Sequence, residues 1–417
     1  MRATRPAPFA AFRSGNFTRY FTGQLVSNVG LWFQNLALSL VVLELTDSAR
    51  ALALVTVAQF GPITLFGGLA GRVVDAVSAR TVLLVTCVAA TLSSAALALA
   101  VSQETTSLPL VYGLIALTGT AHAFERVASQ ALIYELVGPG LLHNAVALST
   151  VYLSAARSIG PGLAGVAYLA LGPAPCLLIN AASYLAAVLA LLLIRPATLH
   201  ARPRAESASR SVLAALREVL GNRPLVVLLV VNVAVTVTAM NMNVVLTSIV
   251  YLGFGGDAGA LGATHALNAV GAILGGLLVA GLRTSRVSYL VPGCLAFAVA
   301  LAVNAAAPSL TLLLVLAPVL GLGIGTYQGL IYSAAQVSAE PHQIGRVMSL
   351  LTMGNVGMAP FGALYAGALV DATSGQTALA VGAAACLGCA TLVTFTVLRP
   401  ARARRRAAGE TDREGAP

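Results

Sequence analysis

The sequence predicts an all-α polytopic membrane protein of about twelve transmembrane helices, arranged in two pseudo-symmetric halves of six. Three observations predict it. The chain has 417 residues, 58% of them hydrophobic and only 9% charged, with a mean hydropathy of +0.87. A soluble protein carries about 25% charged residues because its surface must face water. The apolar residues also come in runs long enough to cross a hydrocarbon layer of about 30 Å. Finally, nearly all the arginines lie between those runs, on one side of the membrane once the runs are laid out alternately. Soluble-enzyme classes are excluded by the first observation alone.

The runs cover roughly 19–43, 52–72, 81–101, 108–134, 145–169 and 174–194, then 225–251, 258–282, 287–306, 310–335, 347–370 and 376–398. All 24 basic residues are Arg. With the N-terminus placed inside, 21 of the 24 fall in the N-terminal arm, the cytoplasmic loops and the tail. Arg50 lies outside, while Arg126 and Arg157 lie within runs. The positive-inside rule then predicts a multi-pass protein of the bacterial inner membrane with both termini in the cytoplasm. This distribution also explains the net charge of +10 without nucleic acid. The first residues lack a short apolar core followed by a small-residue cleavage site, so no signal peptide is expected.

The polar break divides the chain into a half at 1–195, a cytoplasmic linker at 196–224, a half at 225–399 and a basic tail at 400–417. Within the linker, 211–221 reads as a short amphipathic helix on the membrane face or as a plain basic connector. An internal repeat supports the two halves. Gln130-Ala131-Leu132-Ile133-Tyr134 returns as Gln328-Gly329-Leu330-Ile331-Tyr332, and each is followed by a run with a Pro among small residues, Pro161 and Pro360. The five cysteines lie in or beside apolar runs. Cys386 and Cys389 form a CxxC with no second pair or His cluster, which does not make a metal site. No cofactor is expected.

The end of the second run reads Gly67-Gly68-Leu69-Ala70-Gly71-Arg72-Val73-Val74-Asp75-Ala76-Val77-Ser78-Ala79-Arg80. It resembles the loop 2–3 motif of the major facilitator superfamily through Gly71, Asp75 and Arg80. The family's other basic positions are Ala76 and Ala79 here, and its Gly is Ser78. The small residues suit close helix crossing, and an Asp there can lock a neighbouring helix N-terminus. The fifth run contains Arg157-Ser158-Ile159-Gly160-Pro161-Gly162-Leu163-Ala164-Gly165, which resembles the superfamily's antiporter motif. Pro removes a backbone hydrogen bond and glycines admit a neighbour, so this segment is a candidate hinge. Phe124-Glu125, Gln130-Ala131, Glu135-Leu136-Val137, Asn144-Ala145 and Leu178-Ile179-Asn180-Ala181 add a resemblance to the branch holding the enterobactin exporter and macrolide efflux pumps. There Val127 and Tyr134 stand for two family prolines and Ser129 for its Arg. The resemblance implies the major facilitator fold. The gating motif would then be Gly71, Asp75, Arg80, Gly160, Pro161, Gly165 and Pro360.

Ionisable residues within the bilayer are costly and mark function. Glu125 and Arg157 are the proton-coupling candidates, level with one another if the fourth and fifth runs fold about residue 141. A static ion pair is the competing reading. Gln24, Asn28, Gln34, Asn241, Asn268 and Asn355 are substrate-cavity candidates, or else interhelical hydrogen-bond glue. His122 and His265 read as satisfied core histidines. The function expected is proton-coupled export of a small amphipathic metabolite, such as a siderophore, antibiotic or drug, by a monomer. The alternatives are an importer of a small nutrient and a non-transporting membrane sensor. No HExxH, GxSxG or P-loop pattern occurs, so neither catalysis nor ATP-driven transport by this chain is expected.

Overall fold

The computed structural model describes residues 9–103, 106–201, 221–282, 286–340 and 343–399, and these are helical throughout, with no strand among them. The amphipathic segment expected at 211–221 and the tail at 400–417 lie outside the described residues. In chain order the helices are α1 (Gly15–Thr46), α2 (Ala49–Ala76), α3 (Ala79–Val101), α4 (Leu108–Leu171) and α5 (Pro173–Leu192). After the linker come α6 (Arg223–Ala239), α7 (Met242–Ser248), α8 (Ala258–Ala280), α9 (Leu290–Ala305), α10 (Leu310–Ser338), α11 (Ile344–Val356), α12 (Ala359–Ala372) and α13 (Gly375–Val393).

Serine starts many of these helices. The side chains of Ser14, Ser48, Ser78, Ser309 and Ser374 each accept a hydrogen bond from a backbone N–H in the first turn of α1, α2, α3, α10 and α13. Such a cap satisfies donors that the helix itself leaves orphaned. α1 ends at Asp47, the one non-glycine residue with positive φ (47°) among those described. Asp tolerates this left-handed stop better than most residues.

Eleven helices among the described residues are long and apolar enough to cross a membrane. α4 supplies two crossings. Its 64 residues would reach about 96 Å at 1.5 Å per residue, roughly three times the hydrocarbon thickness. The chain folds back at Gly138 (φ 67°, ψ 179°), a conformation open to glycine and strained for other residues. Pro139 and Gly140 beside it are exposed. With this bend the crossings number twelve, as expected.

Two runs are split rather than continuous. Between α6 and α7 the Asn241 amide donates to the Thr236 and Val237 carbonyls at 3.0 and 3.3 Å, replacing lost helical bonds. Between α11 and α12 the break falls at Gly357-Met358, and Pro360 sits in the first turn of α12. Proline has no N–H to lose there. Pro360 therefore starts a helix instead of kinking one.

By contact the chain forms two compact units. The first comprises Met1–Ser207 with Leu246–Ala269, the second Ala208–Val245 with Val270–Pro417. Within the first, α1 packs on α5 and α4, and α3 packs on the same two helices. Within the second, α9 packs on α13 and α10, and α6 packs on α13. The first and last crossings of each sequence half thus pair in the same way (α1 with α5, α6 with α13), as a repeated six-helix architecture requires. All five cysteines are buried free thiols.

Candidate functional site

The middle of the first unit is held by a closed polar knot. The Gln34 carbonyl on α1 accepts from the Ser94 hydroxyl on α3 and from the Asn180 amide on α5, both at 2.8 Å. Asn180 also donates to Ser94 at 3.1 Å. All three residues are buried, Asn180 and Ser94 at 0% exposure. An amide in lipid must find protein partners, and here three helices supply them. Gln34 is therefore glue and does not line a cavity, which corrects its place among the cavity candidates. Gln24 is buried too, and the Asn28 amide one turn later donates to its backbone carbonyl at 2.8 Å and to its side-chain oxygen at 3.4 Å. Asn35, next to Gln34 in sequence, accepts from Gln59 on α2 at 3.1 Å.

Glu125 lies in the first limb of α4, half-buried. Its carboxylate stands 3.8 Å from His122 Nε2, one turn earlier on the same helix. That nitrogen is 2.6 Å from the buried Tyr184 hydroxyl on α5. The buried Tyr20 hydroxyl on α1 hydrogen-bonds Ser129, one turn beyond Glu125, and Tyr152 on the second limb joins Tyr20. A carboxylate thus sits amid an imidazole and three phenols drawn from three helices. Such a group can hold or release a proton without losing every partner.

The pairing expected between Glu125 and Arg157 is not formed. Among the described residues Arg157 makes no ion pair, and it is exposed. The reason is the position of the turn. The limbs of α4 fold about Gly138, not residue 141, which brings Glu125 level with Tyr152 and leaves Arg157 more than a turn beyond. Arg126 is exposed as well.

The antiporter-like segment is closely packed. A Cβ built on Gly160 would lie 2.5 Å from the Trp32 ring on α1. One on Gly165 would lie 2.6 Å from the Ala258 carbonyl and 3.2 Å from the Gly262 Cα of α8. Gly262 in turn faces the Pro161 carbonyl. Glycine against glycine lets the two backbones meet directly, and Pro161, which has no N–H to donate, leaves the Arg157 carbonyl one turn earlier without its helical donor. Trp32 also stacks obliquely on His265 of α8, with centroids 6.3 Å apart.

The loop 2–3 motif behaves differently. Arg80 donates to the Leu191 and Leu192 carbonyls at 2.9 and 3.1 Å, capping the C-terminal end of α5. A cation belongs at that negative end of the helix dipole. Asp75 is exposed, and its carboxylate takes no hydrogen bond among the described residues. A Cβ on Gly67, Gly68 or Gly71 would meet nothing within 4 Å. Within the first unit no close helix crossing is made at these glycines.

The other candidates divide by role. Asn241 caps the α6 break, as described. Asn355 in α11 is half-buried. On α8, His265 Nε2 and Asn268 Nδ2 are buried with no hydrogen-bond partner, so His265 is not the satisfied histidine expected. Three residues that matter here were not singled out from the sequence: Tyr20, Tyr152 and Tyr184. The available signal was a phenol in mid-run, because a hydroxyl in hydrocarbon needs a partner.

Comparison with known proteins agrees with this architecture. The profile of the transmembrane secretion effector family matches residues 6–412. The multidrug efflux pump Tap of Mycolicibacterium fortuitum is 25% identical over 358 residues, covering 84% of this chain and 87% of that protein. Among solved structures, the nucleoside transporter NupG superposes with a TM-score of 0.72 at 13% identity, covering 91% of this chain and 98% of the other. A bacterial homologue of the human lysosomal transporter Spinster superposes at 0.68 with 13% identity, over 95% and 96%. At such identities the superpositions establish the fold alone, and that fold is the twelve-crossing one described above. The family match spans nearly the whole chain, so this multi-pass membrane protein belongs to the transmembrane secretion effector family of major facilitator transporters.

Proposed function

We propose that the protein is a proton-driven exporter of a small amphipathic metabolite or drug, acting as a monomer in the bacterial inner membrane with both termini cytoplasmic. The observation that carries this reading is the seat of the Gly160–Gly165 segment, which pins Trp32 on one side and α8 on the other. A proline-relieved, glycine-lined helix contact of this kind can open and close as a hinge while staying packed. The efflux role of Tap supports the export direction. Glu125, with His122 and Tyr184 beside it, is the proton site in this reading. Arg157, without an ion pair on the second limb of α4, contributes charge without clamping Glu125. Asn28, Asn268 and Asn355 remain the cavity candidates, since amides bind polar groups without fixing their charge.

The test is transport in everted membrane vesicles energised by a proton gradient, over a panel of amphipathic compounds. Export predicts accumulation that a protonophore abolishes. Accumulation in intact cells rather than in everted vesicles would reverse the direction and favour the nutrient-importer alternative. No movement of any compound across a broad panel would favour the sensor.

A further inference from the structure

The N-terminal arm meets the body of the first unit in a basic pocket that neither the gating motif nor the proton site uses. α1 begins beneath it. Asn16, in the first turn, donates to the Arg195 carbonyl at 3.1 Å and to the Thr198 hydroxyl at 2.8 Å, and its own oxygen accepts from the Arg195 N–H and from Arg19, both at 3.1 Å. The segment after α5 is thereby strapped across the start of α1. It continues to His200, whose N–H donates to the Glu135 carbonyl at 2.8 Å beside the Gly138 bend. On the other side Ala11 N–H bonds the Asn144 side chain and Ser14 bonds the Leu136 carbonyl.

These ties border an open pocket of 480 Å³. Arg13, Arg19, Arg195 and His200 line it, and none of the described lining residues is acidic. Arg13 and Arg195 form no ion pair among the described residues. Three guanidiniums share this lining with no acidic side chain among the described lining residues, which gives the pocket a positive potential that favours an anion. Gly15 and Asn16, in the first turn of α1, are also in the lining, and a helix N-terminus favours negative charge. Part of the lining is apolar: Leu136 and Val137 are buried and Leu141 half-buried. The pocket lies where α1 starts, α5 ends and α4 bends, at the level where crossings meet the membrane surface.

We propose that this pocket is a binding site for the phosphodiester headgroup of an anionic phospholipid, with the arginines on the phosphate and the Leu136–Leu141 wall against the first acyl carbons. A free phosphate would satisfy the arginines but not the apolar wall, and it is the lipid that the membrane surface supplies at that depth. The assignment does not depend on substrate or coupling. The proposed orientation decides only that the leaflet is the inner one.

Native mass spectrometry of the purified full-length chain in neutral detergent tests it, with phosphatidylglycerol and phosphatidylcholine added at equal concentration. The wild type is expected to retain phosphatidylglycerol over phosphatidylcholine by on the order of ten-fold. Arg13→Gln with Arg195→Gln should bring the two lipids level, whereas Arg13→Lys with Arg195→Lys should keep the preference. Arg286→Gln, which removes an exposed cation outside the pocket, should change nothing. Equal retention of both lipids by the wild type, or a preference that survives the double Gln change, would overturn the site. Displacement of the lipid by millimolar glycerol phosphate would overturn the lipid assignment in favour of a soluble phosphate. Failure of the Lys pair alongside the Gln pair would show that geometry, not charge, was lost, and would also count against it.

Discussion

At the scale of single residues, polar side chains in this protein do two different jobs that look alike in sequence. Gln34 has its carbonyl saturated by Ser94 and Asn180, while Glu125 has partners at longer and more adjustable range. Gln34→Leu should therefore cost stability, about 1–2 kcal/mol, by leaving Asn180 and Ser94 short of an acceptor. Thermal unfolding in detergent would measure this, and the fraction that folds should still transport. Glu125→Gln should do the reverse. It keeps size and hydrogen bonding but fixes the neutral form, so folding should be retained and uphill pumping lost. Proteoliposomes with an imposed pH gradient report the pumping, and counterflow without a gradient reports the surviving exchange. Unchanged uphill pumping with the same pH dependence would move the proton site elsewhere, to Asp75 or His265. His122→Gln is expected to shift the pH dependence without abolishing transport, because it removes a neighbour of the carboxylate and not the carboxylate itself.

At the scale of elements, the informative contact is the second limb of α4 against α1 and α8. Gly165 and Gly262 bring two backbones together where a single added methyl would fall within 2.6 Å of a carbonyl oxygen. Gly165→Leu should force the helices apart at a cost of about 1–3 kcal/mol. Transport should fall by at least ten-fold even where membrane insertion, followed by immunoblot, is near normal. Gly160→Leu drives a side chain into Trp32 and should act similarly. Near-normal efflux from both would reduce the segment to a structural kink. Gly138 is a different kind of requirement. Its φ of 67° makes Gly138→Val a backbone strain of about 1–3 kcal/mol, expressed as lower yield.

At the scale of the whole molecule, the arginine distribution predicts the topology. A single cysteine at Ser207, in a cysteine-free background, should react only with a membrane-permeant reagent in intact cells. Reaction with an impermeant one would overturn the cytoplasmic placement of the linker. The expectation rests on charge counts alone, since 202–220 lies outside the described residues.

The number of crossings and the family were both legible in the sequence. Each is a local or additive property: hydrophobic length, the charge between runs, or a motif a few residues long. Hydrophobic length decides the crossing because every backbone polar group in the bilayer must be satisfied within its own helix. What the sequence left open was which polar residues meet. Depth along two antiparallel helices depends on where the chain turns, and a shift of three residues at Gly138 was enough to replace Arg157 with Tyr152 beside Glu125. In the same way Gln34 could be glue or cavity until α3 and α5 were brought to it, and Arg13, Arg195 and His200 share no neighbourhood in sequence. Tertiary structure alone decided those partnerships, because they are made between faces of separate helices whose rotation and register no single run encodes.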